Sequence, residues 1–167
     1  MKKFLLPIIL IVISISSFSQ NAPTKVHRKF IDRTPGYSKS VSVSANGITT
    51  IYISGLTGEG KTFEEQTRNA FKHIEEELEA SYTNFNHIVK MNTYIVNLNK
   101  EEVDSFRAIR KEFFGIKDPA NEKDGMPAST IIGISALAEK DKLIEIEAVV
   151  VLDEIRFTPP KIVADPK

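Results

Sequence analysis

The chain has 167 residues, and its 22 basic and 22 acidic residues give it a formal net charge of zero. A neutral chain has no electrostatic basis for binding nucleic acid or an anionic membrane surface. Because the sequence lacks cysteine, disulfides, thiolate nucleophiles and cysteine metal sites are excluded. Hydrophobic residues at 41% and charged residues at 26% are ordinary for a globular domain.

The N-terminus has the anatomy of a secretory signal peptide. Lys2-Lys3 is a short positive region, Phe4–Ile15 is almost wholly apolar, and Ser16–Ser19 supplies small residues before a cleavage site. An uncleaved anchor is disfavoured because the apolar run is shorter than the roughly 20 residues that span a bilayer. We therefore expect residues 1–19 to be removed, leaving a periplasmic or secreted protein with no stable membrane anchor.

Two strands follow a polar segment. Residues 20–35 show no sustained hydrophobic period and are interpreted as an N-terminal arm or linker. Ser38–Ser44 and Thr49–Ser54 have the composition of strands. Asn46-Gly47 between them predicts a tight antiparallel hairpin, because both residue types tolerate positive φ.

Two amphipathic helices and a third strand come next. Thr62 and Glu65 form a capping-box pattern, and apolar residues recur at helical spacing from Phe63 to about Ser81. The pattern indicates a strand over His87–Leu98 and a second helix over Glu101–Phe114.

The C-terminal part of the domain contains two further strands. Residues 115–126 are interpreted as a polar loop, and Pro127–Leu152 as two strands joined by a short charged turn, predicted to pair as a hairpin. In the second of these strands, Glu145 and Glu147 lie on the face opposite Ile144 and Ile146, since side chains alternate. Residues 36–156 are thus assigned to one domain and residues 157–167 to a tail.

The predicted order is ββαβαββ, an α+β domain in which two helices cover only one face of the sheet. The third and last strands carry apolar residues on both faces, so the uncovered face needs another partner. Self-association is the simplest partner, and we expect an oligomer.

Gly55–Thr62, with the sequence GLTGEGKT, matches the phosphate-binding loop pattern G-x-x-x-x-G-K-[ST] and lies between a strand and a helix. A nucleotide-binding function is therefore one alternative. The predicted hairpins oppose it, because such nucleotide hydrolases require a parallel sheet. Glu59 in the middle of the loop would also repel phosphate. The alternative interpretation is a glycine-rich turn leading into a capped helix.

The remaining motifs give no metal or nucleophile site. His27, His73 and His87 share no ligand spacing and are interpreted as surface or packing residues. Ser54-Gly55 lacks the G-x-S-x-G context of a serine nucleophile. We expect neither a metal nor a cofactor.

An ordered set of short motifs runs through the predicted domain from Gly36 to Leu152. The set consists of Gly36-Tyr37, Ile53-Ser54-Gly55, Gln66, Ile88-Val89-Lys90, Tyr94, Phe113-Phe114, Pro127-Ala128 and Glu145-Ile146-Glu147-Ala148. In order and spacing these residues resemble the Rid family, the reactive intermediate deaminases, also called the YjgF family.

The resemblance implies a chorismate-mutase-like fold, a homotrimer and small-molecule clefts between subunits. Active members hydrolyse 2-imino acids to 2-keto acids and ammonia without metal or cofactor. By resemblance, Glu145 is the catalytic residue that positions water. Tyr37, Ser54 and Gly55 line the substrate site, and Ser129 stands where the family has an arginine that grips the substrate carboxylate.

The serine at this position has chemical consequences. A guanidinium offers a bidentate, charged contact to a carboxylate, whereas a serine hydroxyl offers one neutral hydrogen bond. We therefore expect the deaminase activity to be lost or altered, and the site to prefer neutral or cationic ligands. Arg33 or Arg107 of another subunit is a possible source of a compensating cation.

Three functions remain open from the sequence. The first is an exported Rid-family small-molecule binder with lost or altered deamination. The second is an active deaminase or related hydrolase on substrates without a carboxylate. The third is an oligomeric interaction protein whose clefts are vestigial.

Overall fold

The structure, a computed structural model, describes residues 25–115 and 125–153. The predicted signal peptide, most of the loop after the second helix and the C-terminal tail lie outside this range. The described chain forms one six-stranded mixed sheet and two helices, so the predicted α+β class is confirmed. The elements are β1 His27–Arg33, β2 Ser38–Ala45, β3 Ile48–Leu56, α1 Phe63–Ala80, β4 Ile88–Val96, α2 Lys100–Phe113, β5 Ala128–Ile134 and β6 Ile144–Asp153.

The β2–β3 hairpin forms where Asn46-Gly47 predicts it. Asn46 has φ of 54° and Gly47 has φ of 77°, the paired positive values of a tight hairpin turn. The two strands pair antiparallel from Ala45 opposite Ile48 to Ser40 opposite Ile53. This hairpin carries the segment Ser54–Leu56 to one end of the sheet.

The segment interpreted as an arm contains an additional strand. Residues 27–33 pair antiparallel with β2 as the outermost strand of the sheet. Six of its seven residues are exposed, so no burial imposes an alternating pattern on its sequence. An edge strand of this kind is held by backbone hydrogen bonds and leaves little hydrophobic signal.

The predicted pairing of the last two strands is wrong. β5 pairs parallel with β4, and β6 lies between β3 and β4, antiparallel to both. The sheet order is therefore β1-β2-β3-β6-β4-β5. The apolar residues of β6 explain the difference, because Ile144, Ile146 and Val150 are fully buried and belong in the centre of a sheet. The exposed β5 suits an edge.

Both helices are capped as their sequences require and pack through a phenylalanine cluster. Thr62 and Glu65 form the predicted capping box of α1, and Asn99 and Glu102 form a second one at α2. The ring of Phe71 is fully buried and stacks at centroid distances of 5.8 Å on Phe106 and 5.0 Å on Phe113. This cluster joins the two helices over the sheet.

The opposite face of the sheet keeps apolar side chains in solvent. Tyr52, Val89 and Val151 are 52%, 47% and 38% exposed. This face holds the partly exposed apolar residues that the sequence assigns to a partner. Within the described residues, neither helix is long and apolar enough to cross a membrane.

Candidate functional site

A cavity of about 440 Å³ lies at the end of the sheet where β3 and β6 separate. It brings together three of the predicted site residues, Tyr37, Gly55 and Glu145. Its other polar walls come mainly from α1 and from the turn after β3. They are Lys39, Thr57, Glu59, His73, Glu76, Glu77 and Glu139.

The absence of a side chain at Gly55 leaves room for the Glu145 carboxylate. The pairing of β3 with β6 shifts between Ile53 and Leu56, so the backbone at Gly55 leaves the regular ladder. A Cβ added at Gly55 would overlap Oε1 of Glu145 and lie 2.5 Å from its Cδ. Only glycine therefore admits the carboxylate in this position.

The environment of Glu145 favours its protonated form. Burial raises its pKa above the ordinary value of 4.5, and the charges of Glu147 and Glu139 add to the effect. Among the described residues, no cation forms an ion pair with this carboxylate. A carboxylate of raised pKa accepts a proton from water more readily near neutral pH than an ordinary glutamate does.

Two other carboxylates of the cavity are held by specific partners. Glu77 is 3% exposed, and its Oε2 accepts a hydrogen bond of 2.7 Å from Oγ of the buried Ser40. Glu59 pairs with Nζ of Lys142 at 2.5 Å, and this pairing raises the pKa of the lysine. These contacts fix the walls around Glu145.

His73 also lines the cavity, although its spacing from the other histidines does not match a metal-ligand motif. Its Nδ1 lies 2.8 Å from the carbonyl oxygen of Thr57. In the neutral ring Nδ1 therefore carries the proton, and Nε2 is a hydrogen-bond acceptor. The described residues contain no group of three or more histidine or acidic side chains arranged to hold a metal ion.

Ser54, which the resemblance places in the substrate site, does not line this cavity. Its Oγ donates a 2.7 Å hydrogen bond to the carbonyl oxygen of Ser38, which fixes the side chain against β2. It lines a second cavity of about 320 Å³ beside Lys90 and Asn92. Ser54 and Gly55 line different cavities, because the side chains of neighbouring strand residues point to opposite faces of a sheet.

Ser129 is also absent from the Glu145 cavity. It lies on the edge strand β5, and its Oγ accepts a 2.8 Å hydrogen bond from Nη1 of Arg110 on α2. Arg110 is not one of the two arginines, Arg33 and Arg107, that the sequence offers as compensating cations. No motif links residues 110 and 129, since only tertiary packing brings α2 over β5.

Glu147, the second carboxylate of β6, is held by two side chains of β4. Its Oε1 accepts hydrogen bonds of 2.6 Å from Nδ2 of Asn92 and 3.0 Å from Oη of Tyr94. The hydrogen bond to Glu147 is the main reason that the pKa of Tyr94 is raised. These bonds tie β6 to β4 on the face away from the helices.

The GLTGEGKT segment is a structural turn whose backbone donors are occupied. The Oε2 of Glu65 accepts hydrogen bonds from the backbone N–H groups of Lys61, at 2.7 Å, and Thr62, at 3.2 Å. A bound phosphate would need such donors free. The turn leads from β3, whose partners β2 and β6 are both antiparallel to it. The arrangement fits the capped-turn interpretation and opposes nucleotide binding.

The glycine at position 58 of this turn is required by packing. An added Cβ would overlap the backbone oxygen of Gln66 and lie 2.5 Å from the backbone nitrogen of Ala70. We expect Gly58→Ala to lower the free energy of unfolding by about 1–3 kcal/mol, because helical backbone cannot move aside. Denaturant titration measures the change. Gly36→Ala is the control, since its Cβ meets nothing within 4 Å, and equal stability of the two variants would contradict the packing argument.

Comparison with known proteins supports the similarity noted in the sequence. Residues 29–152 match the model of the family described as "Endoribonuclease L-PSP". A protein of Dermatophagoides farinae named 2-iminobutanoate/2-iminopropanoate deaminase is 28% identical over 125 residues, which cover 70% of this chain and 86% of that protein.

Solved structures share the fold. A YjgF-family protein of Neisseria meningitidis superposes with a TM-score of 0.61 at 21% identity, covering 77% of this chain and 97% of that one. A Rid-family protein of Yersinia pestis gives a TM-score of 0.61 at 24% identity, covering 75% and 100%. At these identities the likeness concerns the fold.

Proposed function

The chain belongs to the Rid (YjgF) family, whose model is described as Endoribonuclease L-PSP, and on this premise we propose that it hydrolyses the C=N bond of imines or enamines. The deaminase name of the Dermatophagoides farinae relative supports the reaction class. The proposal rests on the Glu145 carboxylate. This group lies against Gly55 in the cavity and has no cation partner among the described residues.

The reaction needs only water and one group that moves a proton. With the imine nitrogen protonated, Glu145 accepts a proton from water as the oxygen attacks the carbon, and the C=N π electrons move onto nitrogen to give a neutral carbinolamine. Glu145 then gives this proton to the amino nitrogen. The C–N bond breaks as the hydroxyl proton passes to the leaving ammonia, so the products are a carbonyl compound and an ammonium ion. The raised pKa of Glu145 suits both directions of transfer.

The substrate contact is altered relative to the family pattern because Ser129 lacks a positive charge. The serine at position 129 supports an altered substrate preference, and the placement of Glu145 in the cavity supports a retained hydrolytic step. A second candidate is an active hydrolase on imines without a carboxylate. The acidic walls of the cavity, with Glu77 and Glu139 beside Glu145, favour this candidate.

Self-association and export belong to the same proposal. Three copies that bury the exposed face around Tyr52, Val89 and Val151 would cover the apolar side chains that the helices leave open. Ligand clefts would then lie between subunits. The signal-peptide pattern of residues 1–19 supports action outside the cytoplasm.

The test compares imine loss with and without the protein, using semicarbazide to trap imines as an oxidase releases them. We expect the wild-type protein to accelerate the loss. Gly55→Ala should reduce that acceleration by about tenfold or more, because a small displacement of a catalytic group is costly. The fold should survive, since the clashing atoms belong to the flexible end of Glu145.

The control variant is Gly36→Ala, which adds the same methyl group in open space. It should hydrolyse imines like the wild type. A wild-type protein that accelerates neither 2-iminobutanoate loss nor the loss of an imine without a carboxylate would refute the proposed activity. It would then favour a vestigial cleft in an interaction protein.

A further inference from the structure

The imidazole of His73 is fixed in one wall of the cavity that holds Glu145. Residue 73 lies in the middle of α1, and its half-buried ring contacts the turn after β3. In the neutral ring, Nδ1 donates a 2.8 Å hydrogen bond to the carbonyl oxygen of Thr57. One nitrogen of the ring is therefore committed to the fold, and this contact sets the orientation of the other nitrogen.

The anchoring of this turn does not in itself require a histidine. Nε2 of Gln66 donates a 3.2 Å hydrogen bond to the carbonyl oxygen of Gly60. Nδ2 of Asn69 donates one of 2.7 Å to the carbonyl oxygen of Glu59. Amides thus hold the turn at two other positions of the same helix, whereas the imidazole of His73 has a second nitrogen that can take up a proton.

The second nitrogen of His73 is open to the cavity. Within the described part of the chain Nε2 forms no hydrogen bond, and it is not one of the enclosed polar atoms without a partner. Because the ring lines the cavity, a bound molecule can reach this nitrogen. With the proton on Nδ1, Nε2 has a free lone pair and is a base.

The size of the cavity allows His73 and Glu145 to contact the same small molecule. Its volume of about 440 Å³ is within the usual range for the site of one small ligand. His73 belongs to α1 and Glu145 to β6, so two separate elements supply the two groups. A substrate between them has one proton acceptor from the helix and one from the sheet.

Imine hydrolysis includes a proton transfer that has no protein group assigned to it so far. After Glu145 has protonated the amino nitrogen, the C–N bond breaks only as the hydroxyl proton of the carbinolamine is removed. The hydroxyl and amino groups are bonded to the same carbon, so direct transfer between them bends the hydrogen bond far from its preferred linear geometry. A separate base removes this constraint.

We propose that Nε2 of His73 accepts this hydroxyl proton and passes it to the departing ammonia. The O–H bond breaks, its electrons form the C=O π bond, and the C–N electron pair leaves on nitrogen as ammonia. The imidazolium then donates the proton to ammonia, which is the stronger base, so the ring returns to its neutral form and an ammonium ion leaves. This inference rests on the proposed function and adds a second catalytic residue to it.

Replacing His73 with asparagine separates the proton transfer from the anchoring contact. The amide nitrogen of asparagine takes the place of Nδ1 and still offers a donor to the carbonyl oxygen of Thr57, but the variant lacks a basic nitrogen. In the semicarbazide assay, His73→Asn should lower kcat by about 100-fold, the contribution of one positioned proton transfer. KM and the melting temperature should stay close to those of the wild type.

His87→Asn is the matched control. Nδ1 of His87 lies 3.0 Å from Oγ1 of Thr83, and neither residue lines the cavity. Because the ring is exposed and its effect on the cavity is screened, kcat should stay within about threefold of the wild-type value.

Free imidazole distinguishes a lost base from a weakened turn. His73→Ala leaves space for a free imidazole in the wall, and added imidazole should raise the kcat of this variant by about tenfold or more. Glu145→Gln should gain nothing from imidazole, because its carboxylate acts in the earlier attack of water. A variant whose turn is merely displaced has no missing base for imidazole to replace.

The outcomes separate this inference from the proposed function. An active wild-type protein whose His73→Asn variant keeps the wild-type kcat would overturn the inference alone. A loss of kcat in His73→Ala that imidazole does not restore would also overturn it, since the histidine would then only support the turn. A wild-type protein that hydrolyses no imine would overturn the inference and the proposed function together.

Discussion

Replacing Glu145 with glutamine should lower the rate of imine hydrolysis by about 100- to 10,000-fold, the usual contribution of a positioned general base. The amide cannot accept a proton, although it fills the same space against Gly55. The loss should appear in kcat, measured by the semicarbazide trap, because glutamine still forms hydrogen bonds with the substrate.

Glu76→Gln is the matched control, since Glu76 is an exposed carboxylate of the same cavity. It should keep activity within about threefold of wild type, as surface charges are screened. If both variants lose activity alike, the general field of the cavity matters more than the proton transfer assigned to Glu145. In the wild type, activity should fall as pH decreases through a value above 4.5, because the pKa of Glu145 is raised.

Glu145→Gln, which should lower activity, should raise the stability of the fold at neutral pH. Folding favours the protonated form of Glu145, so the ionised carboxylate destabilises the fold above its folded-state pKa. Glu145→Gln should therefore melt at a higher temperature than wild type at about pH 8. The advantage should shrink as pH falls through the folded pKa and vanish below the ordinary value of 4.5, where both states are protonated. Thermal melts at several pH values measure this.

The largest effect on stability should come from Phe71→Ala, which we expect to lower the free energy of unfolding by about 3–5 kcal/mol. The ring is fully buried and stacked on Phe106 and Phe113, so truncation leaves a cavity between the two helices. Denaturant titration at one fixed protein concentration gives the difference, because self-association would make stability depend on concentration.

Phe30→Ala is the comparison, because the ring of Phe30 is 54% exposed on the edge strand β1. Its cost should stay below about 1 kcal/mol. A similar loss of unfolding free energy in the two variants would mean that the ring cluster does not stabilise the packing of the two helices.

The sequence predicted the elements of this fold better than their pairing. Asn46-Gly47 and the Thr62 capping box are local signals, and the hairpin and helix follow from them. β1 was missed because an exposed edge strand has no apolar alternation. The β5–β6 hairpin was wrong because nine intervening residues permit other partners, and the choice is made by the burial of β6.

The sequence names residues of the candidate site, and their roles stay predictions. In the structure Tyr37, Gly55 and Glu145 line one cavity, whereas Ser54 lines another and donates a hydrogen bond to β2. Arg110 lies outside every motif. Its contact with Ser129 depends on how α2 packs over β5, and that information is spread over the whole core.

The central position of β6 has a consequence for how the chain is made. This strand ends the described chain at Asp153, yet its neighbours β3 and β4 begin at Ile48 and Ile88. A nascent chain lacking β6 leaves β3 and β4 without their shared partner and the core incomplete, so the domain cannot complete its fold until β6 has been synthesised. The β1–β2–β3 and β4–β5 groups of strands therefore stay separate until β6 joins them.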